Sequence, residues 1–304
     1  MTTRMRAVSQ RVFGGPEVLE LVEVDRPSPG PGEVLLRVRA AGVNPADWKV
    51  RSGLIRPFEP PFTLGLDVSG VVEELGAEVD GFRLGDAVFG LLLSPAGAYA
   101  EYVVIPVQAL APLPPSLDHV QAAALPVAAL TAWQALAELR PGQRVLIHAA
   151  AGGVGHLAVQ IAKARGAHVI GTARAEKHAF LRDLGADELI DYTAVDFAAV
   201  VSEVDVVFDL VGQGYATRSL ATLKPGGLVI DAMGSEQDLA DADGFRIVRF
   251  HVSPSGKDLE QLTGLVEAGK LRVFVDQVLP LEQAAKAHEL SETQRVSGKI
   301  VLSV

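Results

Sequence analysis

The 304-residue chain is long enough for about two domains of ~150 residues each, and 49% apolar with 21% charged residues excludes a disordered polymer. Acidic side chains number 37 against 27 basic ones, a formal charge of −10 that argues against general nucleic-acid binding. With no cysteine in the sequence, disulfides, thiolate nucleophiles and cysteine-ligated zinc are excluded together.

The first residues carry no signal-like apolar stretch. The longest apolar run, around Ala122–Trp133, is broken by Pro126 and too short to span a bilayer. The expectation is a soluble, cytoplasmic protein with no membrane partner. In chain order, Arg6–Phe13, Val18–Val24, Glu33–Ala41, Asp67–Leu75 and Ala87–Leu92 read as short Val/Leu-rich strands. Turns such as Pro27–Gly32 and Gly81–Asp86 separate them, a density that predicts a barrel or sandwich. An Ala-rich segment, Val120–Leu139, has helical composition and stops at Pro141 and Gly142.

Strands and helices alternate from there. Arg144–Ala149, His168–Thr172, Glu188–Asp191, Val204–Leu210, Gly227–Ala232 and Phe245–Val252 are the strands. Val154–Arg165, Glu176–Leu184 and Tyr215–Leu223 are helices, closed by Gly166, Gly185 and the pair Pro225 and Gly226. This alternation predicts a doubly wound parallel sheet. The tail, Gly256–Val304, adds an amphipathic helix through Leu259, Leu262, Leu265 and Val266, then helical and strand segments.

The most informative stretch joins an apolar strand, Arg144–Ala149, to a Gly-rich turn and an amphipathic helix. A pyrophosphate needs that context, because it must meet unpaired helix N-terminal amides with no side chain in the way. Ala150, Gly152 and Gly155 occupy the three fingerprint positions, with Gly153 and Val154 between them. The second strand indicates which dinucleotide. NAD sites place an acid about 20 residues after the fingerprint, whereas here the strand runs into Ala173 and Arg174. Arg174 and Lys177 offer cations for an adenosine 2′-phosphate and favour NADP, with Glu176 nearby as the opposing charge.

Read with Ala40–Asp47, Gly14–Glu20, Gly65–Val72, Leu184–Asp187, Lys224–Gly227 and Gly298–Leu302, the chain resembles the medium-chain dehydrogenase/reductase superfamily. It is similar to the zinc-free quinone oxidoreductase and enone reductase branch. The resemblance implies an α/β protein: a GroES-like β-barrel catalytic domain over 1–118, completed by 254–304, and a Rossmann doubly wound parallel sheet over 119–253. A cleft between them, hydride transfer from NADPH, and a homodimer or homotetramer are also implied.

Zinc relatives carry Cys and His where this chain has Asn44 and Leu66, so no catalytic zinc is expected. Without a metal, negative charge forming on a carbonyl or quinone oxygen needs a hydrogen-bond donor or cation. The resemblance nominates Asn44 and Lys49 for this, in what reads as one loop, and Asp67 as an acid beside the lost zinc ligand. Lys49 also reads as an ordinary surface lysine, and Asp67 as the brace of a turn. Toward the cofactor the resemblance implies Thr131 by the nicotinamide, Tyr192 near the adenosine phosphate, and the backbone of Phe250 and Val252 by the carboxamide. The expected substrate is a small quinone or α,β-unsaturated carbonyl, with Trp48 and Phe58 in loops that would line its site. An enoyl-thioester reductase is the close alternative, with Arg51 and Arg56 its local basic candidates, and a non-catalytic NADPH-binding protein is another.

Overall fold

A computed structural model describes residues 3–234 and 245–304. The chain divides into two compact units: one contains 3–130, 254–267 and 273–304, the other 131–234, 245–253 and 268–272.

The first unit opens with strands β1 (Arg4–Gln10), β2 (Glu20–Asp25) and β3 (Glu33–Val43). Helix α1 (Pro45–Arg51) follows, then β4 (Phe62–Thr63), β5 (Asp67–Leu75), β6 (Ala87–Leu91), β7 (Tyr102–Pro106) and β8 (Leu110–Pro112). β3 is long enough to serve several neighbours: along its whole length it pairs with β5, and its first half also pairs with β7. Leu36, Val38, Val68, Val72, Val88 and Ile105 from these strands are buried in one apolar core. The strands β4, β7 and β8 are not apparent in the sequence, because Pro106, Pro112 and the two-residue length of β4 hide the period-two pattern.

The helix expected over Val120–Leu139 is two helices, α2 (His119–Ala123) and α3 (Pro126–Ala135). Pro126 has no N–H to continue the ladder, so α2 stops and α3 starts on the proline ring. The division between the units falls inside α3, after Leu130.

The second unit contains β9 (Arg144–Ile147), α4 (Gly155–Ala164), β10 (His168–Thr172), α5 (His178–Asp183), β11 (Glu188–Ile190), α6 (Phe197–Val200), β12 (Val204–Asp209), α7 (Tyr215–Ser219), β13 (Leu223–Asp231) and β14 (Arg246–Arg249). They form one six-stranded sheet ordered β11-β10-β9-β12-β13-β14, parallel at every pairing. Counted from β9, this is the 3-2-1-4-5-6 order of a doubly wound nucleotide-binding sheet. Gly166 and Gly185 follow α4 and α5 in the left-handed conformation, as helix ends favour. Pro225 and Gly226 close no helix: they lie within β13, where the register against β12 shifts.

The chain then returns to the first unit with α8 (Gly256–Glu267), β15 (Val275–Pro280), α9 (Ala284–Glu292) and β16 (Lys299–Ser303). β16 lies between β15 and the second half of β3, completing a seven-stranded sheet. The last strand thus lies beside one of the first. Among the described residues, no helix is long and apolar enough to cross a membrane.

Candidate active site

Three adjacent strands of the first unit, β16, β3 and β5, bring polar side chains to one buried point. Lys299 begins β16, Asp67 begins β5, and Asn44 follows the end of β3. All three are essentially buried, at 3%, 0% and 3% exposure. The Lys299 ammonium donates to Asn44 Oδ1 and, at 3.1 Å, to Asp67 Oδ2. Asn44 Nδ2 donates to the same Asp67 oxygen at 2.9 Å, and the other Asp67 oxygen accepts the Val127 N–H of α3 at 2.6 Å. Gly42 makes room for this, because a Cβ there would lie 2.3 Å from the Ala123 carbonyl and 2.5 Å from Asp67 Oδ2.

Asn44 and Lys49, expected in a loop, belong to helix α1. Asn44 is its N-cap and Pro45 its first residue. Asp47 closes the cap: its carboxylate accepts the Asn44 backbone N–H at 2.8 Å and that of Gly65 at 3.2 Å. Burial raises the Asp47 carboxyl to about 7; the Asn44 N–H opposes the rise and the Asp67 charge adds to it. Behind Asp47 runs a directed chain of hydrogen bonds. Arg51, buried and ion-paired with Glu292 at 2.5 Å, donates to His288 Nδ1 at 3.2 Å. His288 is held neutral, its pKa lowered to about 3 by burial and by Arg51, so Nε2 carries the proton facing Tyr99 Oη at 3.3 Å. Tyr99 lies near Asp47 and Asp67, and its hydroxyl pKa is raised well above the usual value, first by burial and then by those two charges. The sequence marked Arg51 as available for a phosphate tail; it is committed to Glu292, His288 and the Gly14 carbonyl instead.

The rise in the Asp47 pKa makes the stability of the fold depend on pH. Folded, this carboxyl keeps a proton between about pH 4 and 7 that the unfolded chain has released, so its contribution to stability is full below that window. Across the window the contribution falls as pH rises, and it is gone once pH has risen through about 7. Denaturant unfolding at pH 5 and pH 8 is therefore expected to show a larger loss for the wild type than for Asp47→Asn; equal losses would refute the assignment.

Lys49 is half-buried, its ammonium 5.8 Å from the centre of the Trp48 ring. Among the described residues it has no carboxylate partner, and burial lowers its pKa from the usual lysine value. Phe58, expected to line the site, packs toward Phe62 and the core.

The positions that hold zinc ligands in zinc relatives are an amide, Asn44, and an alkyl side chain, Leu66. A Zn²⁺ bound at Asn44 Oδ1 would also meet the Lys299 ammonium as a like charge. The residues present do not fit a zinc centre.

In the second unit, β9 leads through His148 into the Gly-rich turn. Ala149 takes a left-handed φ of 49°, and its N–H and the His148 ring both meet Thr172 Oγ1 at the end of β10, at 3.3 and 3.2 Å. His148 also bonds Ser219 Oγ at 2.9 Å, and burial lowers its pKa to about 3, so the turn is braced by a neutral imidazole. Ala150 donates its N–H to the Thr172 carbonyl at 3.0 Å, fixing the first fingerprint position against β10. Gly152 donates to the Ala149 carbonyl at 2.9 Å, while the N–H groups of Gly153 and Val154 meet no acceptor among the described residues. At Gly155 a Cβ would lie 2.3 Å from the Ala149 carbonyl, so only glycine lets α4 start so close to β9. Two open amides at the start of a ten-residue helix suit a phosphate.

Beyond β10, Arg174 Nε donates to the Tyr192 hydroxyl at 3.2 Å. The structure thus brings Arg174 and Tyr192 together, with Lys177 in the short 3₁₀ turn that follows Arg174. Neither cation is ion-paired with a carboxylate among the described residues, so both are available to an anion. A cavity of about 290 Å³ is lined by Tyr192 together with Phe197, Tyr215 and Arg218 among others. Thr131 is buried within α3. Phe250 donates its N–H to the Asp231 carbonyl at 2.9 Å just past β14, and Val252 follows in irregular backbone. The turn and its two cations fit a phosphorylated dinucleotide.

Comparison with known proteins identifies the family. "Alcohol dehydrogenase GroES-like domain" matches residues 30–115, and "Zinc-binding dehydrogenase" matches 184–302. A 2-haloacrylate reductase from a Burkholderia species is 37% identical over 320 residues, spanning 95% of this chain and 96% of that protein. The quinone oxidoreductase structure from Coxiella burnetii superposes with a TM-score of 0.94 at 39% identity, covering 99% of this chain and 100% of that one. The Escherichia coli quinone oxidoreductase complexed with NADPH gives 0.91 at 31% identity, covering 98% and 100%. The chain belongs to the medium-chain dehydrogenase/reductase superfamily of oxidoreductases, among its quinone oxidoreductase homologues.

Proposed function

We propose that this chain is a zinc-independent, NADPH-dependent oxidoreductase that reduces quinones or α,β-unsaturated carbonyls by hydride transfer. The observation that carries the reading is the buried Lys299–Asn44–Asp67 cluster, in which Lys299 and Asp67 hold the Asn44 amide at the place of a metal centre. NADPH, when bound, supplies the hydride. The open amides of Gly153 and Val154 would hold its pyrophosphate, Arg174 and Lys177 its 2′-phosphate, and the aromatic-lined cavity beside Tyr192 its adenosine end.

Reduction of an enone or a quinone builds negative charge on an oxygen, and pre-oriented donors lower that barrier. Asn44 has a second amide hydrogen beyond the one given to Asp67, and Lys49 has an ammonium with no carboxylate partner among the described residues. These are the groups assigned to touch the acceptor oxygen. Asp67, whose two oxygens are occupied by Val127, Asn44 and Lys299, acts through them as a positioning residue. The 2-haloacrylate reductase relative reduces, by its name, an activated alkene, the same electronic demand as a quinone.

The direct test is NADPH consumption with 1,2-naphthoquinone, 2-cyclohexenone and an alkenal. Turnover with none of them, despite tight NADPH binding, would favour a binding protein. Lys49→Ala is expected to lower kcat with the enone by about 10²-fold and leave the NADPH Kd unchanged. An unchanged kcat would remove Lys49 from the chemistry.

A further inference from the structure

Asn44 is the only asparagine in the 304-residue sequence, and it is buried at one point where strand, helix and carboxy-terminal strand meet. Its amide is bound at both ends. A Lys ammonium can only donate and a carboxylate only accepts, so the oxygen must face Lys299 and the nitrogen must face Asp67. Without Lys299 the amide oxygen would keep only the looser capping-box contact from the Asp47 backbone N–H and could turn away from its present orientation. Lys299 prevents that, and it is itself secured by Asp67 at 3.1 Å.

We infer that Lys299 is a positioning residue of the active site: its buried ammonium fixes the Asn44 amide so that the second N–H is presented in one orientation. The inference rests on the function proposed above for its catalytic consequence, but not for its geometry. Lys299 itself has no role at the reacting atoms, since its contacts are Asn44 and Asp67.

The single asparagine makes the experiment unusually direct. Selective ¹⁵N-asparagine labelling gives one side-chain NH₂ pair, that of Asn44, in a correlation spectrum of the 304-residue chain. In the wild type this pair is expected to be resolved and to exchange slowly with water; a rapidly exchanging pair overturns the inference without any variant being made. In Lys299→Met the pair is expected to exchange faster. In Lys299→Ala, added ethylammonium should restore the slow exchange by refilling the missing charge. Acceptor-dependent NADPH oxidation should fall about 10²-fold in kcat for Lys299→Met, as for a misplaced catalytic group, with the NADPH Kd unchanged. It should recover with ethylammonium in Lys299→Ala, in step with the restored Asn44 exchange. Wild-type protein that turns over no acceptor defeats the proposed reaction, while the NMR exchange still decides the role of Lys299. Asn44 signals indifferent to Lys299→Met, or full kcat in that variant, defeat the inference alone.

Discussion

Asp67→Ala is expected to destabilise the protein by about 3–5 kcal/mol, because it leaves a buried ammonium without its counter-charge. The same change strips the acceptor from the Val127 N–H and from Asn44 Nδ2, so three donors lose a partner at once. A buried ion pair is costly to break but less costly to replace as a whole. The double variant Asp67→Ala/Lys299→Met should therefore be more stable than Asp67→Ala alone, despite carrying one more substitution. Guanidinium unfolding of the wild type, Asp67→Ala and the double variant measures this directly. A loss below about 1 kcal/mol for the single variant, the range of an exposed pair, would mean the cluster is solvated rather than buried.

The second large effect concerns the coenzyme. Replacing both Arg174 and Lys177 by Ala is expected to weaken NADPH binding on the order of 10²-fold, because two charge-assisted contacts to a phosphate disappear. NADH lacks that phosphate, so its affinity should change little, and the ratio of the two Kd values isolates the effect from any general damage. Raising the ionic strength should shrink the wild-type preference, since both cations lie at the surface. Equal losses for NADPH and NADH would place the reading of the phosphate elsewhere.

Much of this is legible in the sequence, and the exceptions have physical causes. The alternating second half and its Gly-rich turn are readable because a parallel sheet repeats strand, turn and helix locally. The doubly wound sheet and the superfamily follow from them and hold in the structure. The Asn44 and Asp47 spacing carries an N-cap signal, an asparagine with an acid three residues on. The helix behind it is only seven residues long, too short for its period to stand out from a loop. Pro126 shows in the sequence as a break in an apolar run, while its role as the start of a new helix shows only in the structure. Arg51 misleads because a cation near a site suggests an anionic ligand, and nothing local announces Glu292, 241 residues away. Lys299 is visible only as part of a closing motif. Its meeting with Asn44 exists only through the pairing of β16 with β3, which no local pattern encodes.

That pairing constrains how the molecule can be made. Asn44 and Lys299 are 255 positions apart, so a growing polypeptide that has already released its first domain's strands from the ribosome still lacks the residue that neutralises their acids. The second unit, drawn from one stretch of consecutive sequence plus five later residues, can form during synthesis. The first unit must wait for β16, and closing so distant a contact is slow. Until then, the apolar edge of β3 that β16 will cover is open to the wrong strand.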